Sequence, residues 1–173
     1  RFLLNSFIFE IKRWAKAGNA SVSQQPALQH ATTCDIYVTD PPYADAVHYH
    51  EITEFFISWL RGAPAPPFGK WIWDSRRPLA IKGTGEDFRH AMVDAYRTMV
   101  RWMPSNGLQI VMFTHRDARV WADMAAIFWA AGLRVTAAWY IATETTSDLK
   151  KGGYVQGTVI LVLRKRLAEA SIY

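Results

Sequence analysis

Hydrophobic positions recur along this chain with two different periods, and together they divide it into helices and strands. Leu3, Leu4, Phe7, Ile8, Ile11 and Trp14 share one helix face, which predicts a helix over 2–16 that stops at Gly18-Asn19. A polar stretch from Ser21 to Thr33 follows. Asp35 to Thr39 then reads as a short strand running straight into Asp40-Pro41-Pro42-Tyr43, where two successive prolines must end it. Residues 46–60 have helical spacing, with Ile52, Phe55, Phe56, Trp59 and Leu60 expected to be buried. Residues 61–85 are rich in Pro and Gly and read as a long surface excursion, with Trp71 and Trp73 tucked beneath it.

The second half is clearer. Phe88, Met92, Tyr96, Met99, Val100 and Met103 mark an amphipathic helix over 87–103, ended by Pro104 and Asn106-Gly107. Leu108 to Phe113 reads as a continuous apolar run, as expected of a strand covered on both faces. A helix over 118–131 turns Trp121, Met124, Ile127 and Phe128 inward and places Gly132 just past its end. Arg134 to Ile141 and Tyr154 to Leu163 read as strands around a polar loop, 143–153. Strands alternating with helices imply an α/β fold with a mostly parallel sheet and right-handed crossovers. The last two strands have no helix between them and must form an antiparallel pair. One domain over 1–173 accommodates every element.

Composition narrows the class. Half of the 173 residues are hydrophobic, which excludes a disordered chain, and no apolar run reaches the ~18 residues of a membrane span. The single cysteine, Cys34, excludes an internal disulfide and suits a small core position in a cytoplasmic protein. Twenty basic against 15 acidic residues leave a net charge of +5, which favours a polyanionic partner. The chain starts at Arg1 inside a helical pattern, so it is expected to be a piece of a longer protein.

The chemistry centres on Asp40 to Tyr43. In an open α/β sheet ligands bind beyond the carboxyl ends of the strands, where this tetrapeptide falls. An exocyclic amine of adenine or cytosine is a poor nucleophile, because its lone pair is delocalised into the ring. Acceptors set against its two N–H groups draw the nitrogen toward a tetrahedral geometry. The Asp40 carboxylate is one acceptor; the Pro41 carbonyl, held by the fixed φ of proline, is the other. Tyr43 offers a face on which an extruded base can stack.

Read together, these residues resemble the motif of amino-group DNA methyltransferases. Residues 38–61, 107–145 and 152–166 resemble the large adenine-specific DNA methylases that carry a zinc-ribbon-like insertion, some of them associated with anti-phage defence. The resemblance implies a partial Rossmann-like, S-adenosylmethionine-dependent methyltransferase fold that ends in an antiparallel strand pair. It implies catalytic roles for Asp40, Pro41, Pro42 and Tyr43, with DNA as substrate, the N-terminal remainder of the protein as a necessary companion, and other defence proteins as partners. An Asp in the first motif position favours a nucleobase over a protein glutamine. The family's glycine-rich cofactor loop lies upstream of the motif, and no version of it precedes Asp40. Most of the cofactor site is therefore expected before Arg1, with only Thr39 and Asp40 beside it. The isolated chain is then expected to be inactive.

Lys82 to Glu86 carries a Gly-x-Gly but reads better as a turn before a helix. His48 and His50 stand at i and i+2, on different helix faces, and are badly placed to share a metal. Tyr49 and His50 follow the motif closely enough to line a base pocket, or simply begin a solvated helix. Thr114 and His115, and Glu144 in its flanking Thr143–Thr145 segment, follow later strands at the ligand end of the sheet. Lys150 and Lys151, beside Gly152 and Gly153, suit a DNA phosphate or a solvated hairpin tip. The alternatives are methylation of cytosine N4, RNA or a protein amide, or a non-catalytic nucleic-acid-binding or docking module with a relic motif.

Overall fold

Four stretches rich in β-branched and aromatic residues pair into one sheet. They are β1 (Ile36–Thr39), β2 (Leu108–Phe113), β3 (Leu133–Ala142) and β4 (Gly157–Lys165), in the spatial order β1-β2-β4-β3. The computed structural model describes residues 21–42, 49–64, 66, 68–74, 81, 85–142 and 157–166, without the side chains of 49–51. The helix expected over 2–16, residues 46–48 of the next helix, the loop 143–153 and residues 154–156 lie outside them. Among the described residues three helices accompany the sheet: α1 (Tyr49–Leu60), α2 (Glu86–Trp102) and α3 (Ala118–Ala130), with short 3-10 turns at Ala27–Gln29 and Phe68–Lys70.

β1 and β2 are parallel, with Ile36 opposite Leu108 and Thr39 opposite Val111. β4 runs against β2 on one side and against β3 on the other. Hence β1, β2 and β3 point one way and β4 alone is reversed. The sheet is mixed, and this corrects the expectation of a mostly parallel sheet: among the described strands one pair is parallel and two are antiparallel. The final two strands do form the expected antiparallel pair. The reason for the difference is that β4 does not close the sheet from outside but fills the slot between β2 and β3. A register shift between Val135 and Ala137 marks a bulge at Thr136, whose hydroxyl donates to the Val162 carbonyl at 3.1 Å.

One face of the sheet holds the core. Val111, Phe113, Leu161, Leu163 and Leu133 lie under Phe88, Met92 and Tyr96 of α2 and Met124, Ile127 and Phe128 of α3. Burying each such side chain stabilises the fold by ~1.5–3 kcal/mol. The Tyr96 and Phe128 rings meet edge to face at 5.1 Å, and Phe113 meets Trp121 at 4.9 Å. Helix ends follow local chemistry. Glu86 and Asp87 lie in the first turn of α2, where the dipole favours them. Asp117 caps α3 through the Arg119 amide, and Gly132, at φ 85°, takes the left-handed position after it.

Two burial expectations are corrected. β2 was read as covered on both faces, but buried Gln109, Val111 and Phe113 alternate with half-buried Leu108, Ile110 and Met112, because α2 and α3 both cross the same face. On the opposite face of β1, Ile36 and Val38 stand exposed. In α1 only Ile57 is buried among the side chains described; Ile52, Phe55, Phe56, Trp59 and Leu60 are each more than half exposed. Helical spacing shows that side chains share a face, not that the face has a partner. Among the described residues Phe55 meets its own helix neighbours, Phe56 edge to face at 5.4 Å and Trp59 at 6.0 Å. Trp71 and Trp73 are half-buried within the excursion, Trp73 donating its indole N–H to the Phe68 carbonyl at 3.1 Å.

At the start of β4 the backbone of Gly157 is overlaid by the Tyr140 ring, and a Cβ there would fall 2.7 Å from Tyr140 Cζ and onto the Ile141 carbonyl oxygen. Gly157→Ala should therefore destabilise the sheet by ~1–3 kcal/mol. Chemical denaturation measures this; an unchanged midpoint would show that the β3–β4 pair yields freely.

Candidate active site

Because β1, β2 and β3 are co-directional, their carboxyl ends share one rim of the sheet. Asp40 follows β1 there, Thr114 and His115 follow β2, and Ala142 ends β3. The rim is stepped. Thr39 is level with Val111, so β2 runs on for two more residues, Met112 and Phe113. Phe113 is level with Tyr140 through their common partner Val159, so β3 continues two residues further, to Ala142. At ~3.3 Å per residue each step is about 7 Å, and Asp40 occupies the lowest.

The motif is anchored unevenly. Asp40 is exposed, Pro41 is buried and Pro42 is half-buried. The carboxylate thus stays in reach of solvent while the proline behind it is packed into the protein. Tyr43 lies outside the described residues. Tyr49 and His50 form the first turn of α1 and are described through their backbone only. Glu144, Lys150 and Lys151 also lie outside, as does the Lys82–Thr84 part of the glycine turn; Gly85, at φ 75°, leads directly into α2.

A hollow of about 40 Å³ opens beside Pro42, between Phe88 and Arg89 of α2 and Asp123, Met124 and Ile127 of α3. Arg89 and Asp123 bridge the two helices there at 3.1 Å. That volume holds about one water, where ligand pockets take several hundred Å³. It is too small to hold a base. A larger hollow, about 290 Å³, lies on the outer flank of β1, lined by Pro26, His30, Cys34, Ile36, Val38 and Met99. Cys34 Sγ is 3.7 Å from His30 Nε2 in this flank. The same nitrogen faces the Thr32 carbonyl at 2.9 Å, to which it can only donate, so it does not serve as a base for the thiol.

His115 is built into its loop. Its Nδ1 accepts the Asp117 amide hydrogen at 3.0 Å, and its carbonyl accepts the Trp121 indole N–H at 2.8 Å. With Nδ1 accepting, Nε2 is the ring nitrogen left to donate. Thr114 and His115 are both half-buried at the rim.

Under the motif lies a residue that sequence reasoning placed only on the apolar face of a helix. Tyr96 is buried, and its hydroxyl completes no hydrogen bond. Burial pushes its pKa up to about 12; the Thr39 hydroxyl opposes this and Asp40 adds to it. The signal available was a phenol in a stripe otherwise made of Phe, Met and Val, since a buried tyrosine brings a polar tip that needs a partner.

A scan against protein-family models finds no match to the chain, and a search of curated proteins finds none either. Among the described residues no helix is long and apolar enough to cross a membrane, and no group of three His, Cys, Asp or Glu gathers as a metal site.

The loop after β2 carries its own pH dependence. Arg119 holds the Asp117 carboxyl down to about 2, first through side-chain hydrogen bonds, the shortest at 2.7 Å, and then through its amide. A depressed carboxyl contributes stability above its ordinary value of 3.8 and loses it as pH falls through about 2. Asp117→Ala should therefore lower the thermal midpoint at neutral pH, with the gap to wild type closing between those values. A gap independent of pH would remove the carboxylate from the cap.

Proposed function

We propose that this chain forms the amine-binding part of an S-adenosylmethionine-dependent methyltransferase acting on adenine in DNA. The observation that carries this reading is the exposed Asp40 carboxylate, set on the lowest step of the sheet's carboxyl rim with buried Pro41 locking the backbone behind it. Co-directional strands with a reversed strand near the end of the sheet support a partial Rossmann-like fold. The motif resemblance supplies the substrate class, and the net charge of +5 suits DNA.

The chemistry asked of the chain's own residues is limited. A base extruded from the duplex enters the rim with its amine toward Asp40. The carboxylate accepts one amine N–H and the Pro41 carbonyl the other, which localises the lone pair on nitrogen. As that nitrogen takes the methyl group it becomes cationic, and Asp40 stabilises the charge and can receive the departing proton. Orientation does the rest, since amine and methyl must approach in line.

S-adenosylmethionine would supply an electrophilic sulfonium methyl. The open rim and exposed carboxylate fit the amine side of that transfer. Of the described residues, Thr39 and Asp40 stand where they could border the cofactor, and no glycine cradle is found among them.

Asp40→Ala in the full-length protein should lower methyl transfer to unmethylated DNA by about 10²–10³-fold, the loss typical of one preorganised hydrogen-bonding group. Transfer of labelled methyl groups measures the rate, and nucleoside analysis of the product separates N6-methyladenine from N4-methylcytosine. Unchanged DNA methylation by the variant would remove Asp40 from the mechanism.

A further inference from the structure

Two connections leave the carboxyl rim on the same side of the sheet. After β1, Pro42 shares a hollow with Phe113, Val120 and Met124. After β2, the His115 carbonyl accepts the indole N–H of Trp121 at 2.8 Å, and the Trp121 ring meets Phe113 edge to face at 4.9 Å. Pro42, Phe113, Trp121 and His115 thus follow one another without a break, which keeps the motif and His115 together over α3. β1 and β2 are neighbouring parallel strands, so the residues that follow them emerge side by side.

His115 is the polar group there that is held in place with one end unused. Its ring is half-buried, and Nδ1 accepts the Asp117 amide hydrogen at 3.0 Å. Nε2 is left to donate and has no partner among the described residues. The nearby cations are already engaged, Arg119 by Asp117 at 2.7 Å and Arg89 by Asp123 at 3.1 Å. Asp40 has the opposite character, an exposed acceptor on a backbone fixed by buried Pro41. An acceptor and a donor held on one rim match a molecular edge that carries a donor beside an acceptor. An exocyclic amine next to a ring-nitrogen lone pair is such an edge, and adenine presents it twice, as N6 with N1 and as N6 with N7.

We propose that His115 is a specificity-determining residue of this rim, donating its Nε2 hydrogen to the ring nitrogen beside the amine that Asp40 holds. The proposal rests on the methyl-transfer reading. No bond is made or broken at His115, and its proton stays on Nε2. Asp40 alone leaves a base free to pivot about its amine; a second fixed contact removes that freedom and brings the amine into line with the methyl group. A base without the lone pair leaves the histidine N–H unpaired and is admitted less well for that reason.

The test is methyl transfer by the full-length protein to duplexes built on a site that wild type methylates. The target adenine is kept or replaced by 1-deazaadenine or 7-deazaadenine, each of which lacks one ring lone pair beside the amine. Wild type should lose about 10–100-fold in kcat/KM on one analogue and little on the other, the loss expected when a donor is left unpaired on binding. The analogue that fails names the ring nitrogen. His115→Phe should lose a similar factor on adenine and nothing further on that analogue, because both changes remove the same hydrogen bond. Losses that add when the two are combined, as a merely structural role of His115 produces, overturn the proposal. So does a wild type that treats all three bases alike, and that comparison carries the test if His115→Phe does not fold. Asp40→Ala that still methylates DNA sinks the methyltransferase reading itself. Indifference to both analogues alongside an inactive Asp40→Ala sinks the role of His115 alone.

Discussion

The sealing of one sheet face by α2 and α3 is the constraint on which the other features depend. Val111, Phe113, Leu161 and Leu163 lose contact with water only because both helices cross the same side. That one-sided packing holds β2 and β4 as the centre of the sheet, and β2 in turn sets the direction and height of β1. The position of Asp40 at the rim is thus a result of hydrophobic burial some distance below it. Tyr96 contributes its ring to that core, edge to face with Phe128, and buries its hydroxyl there without a partner.

The helices over Glu86–Trp102 and Ala118–Ala130 were legible in the sequence to within a residue at each end, because Phe88, Met92 and Tyr96, or Met124, Ile127 and Phe128, repeat on one strong face and carry clear stop signals. The strands were legible for the same reason. What the pattern did not contain was spatial order. Nothing in Val159 to Leu163 says that this strand enters between β2 and β3, and the expected parallel character of the sheet failed on that single placement. The apolar side chains of α1 make the complementary point. Their spacing marked a shared face correctly, but a face is buried only if another element meets it, and that information is tertiary.

The candidate site was legible where it is local. Asp40, Pro41 and Pro42 are adjacent in sequence, and their meaning follows from a strand end and the rigidity of proline. Thr114 and His115 were placed at the same rim by counting strands. The structure adds that the His115 ring is fixed through Nδ1 by the Asp117 amide, a contact between near neighbours that its residue type alone does not reveal. That the Tyr96 hydroxyl is buried without a partner was not legible, since it arises only when the helices close over the sheet. Tyr43, Glu144, Lys150 and Lys151 lie outside the described residues and keep the standing that sequence gives them.

The descending rim gives the carboxyl edge of the sheet one low corner and two taller sides. The low corner, at Asp40, is closed behind by buried Pro41 and half-buried Pro42. The taller sides end at Phe113 and Ala142. Under the methyl-transfer reading proposed above, substitutions in residues 114–117 would meet the periphery of a bound molecule while the carboxylate kept its depth, and would alter which partner is admitted more readily than the reaction itself.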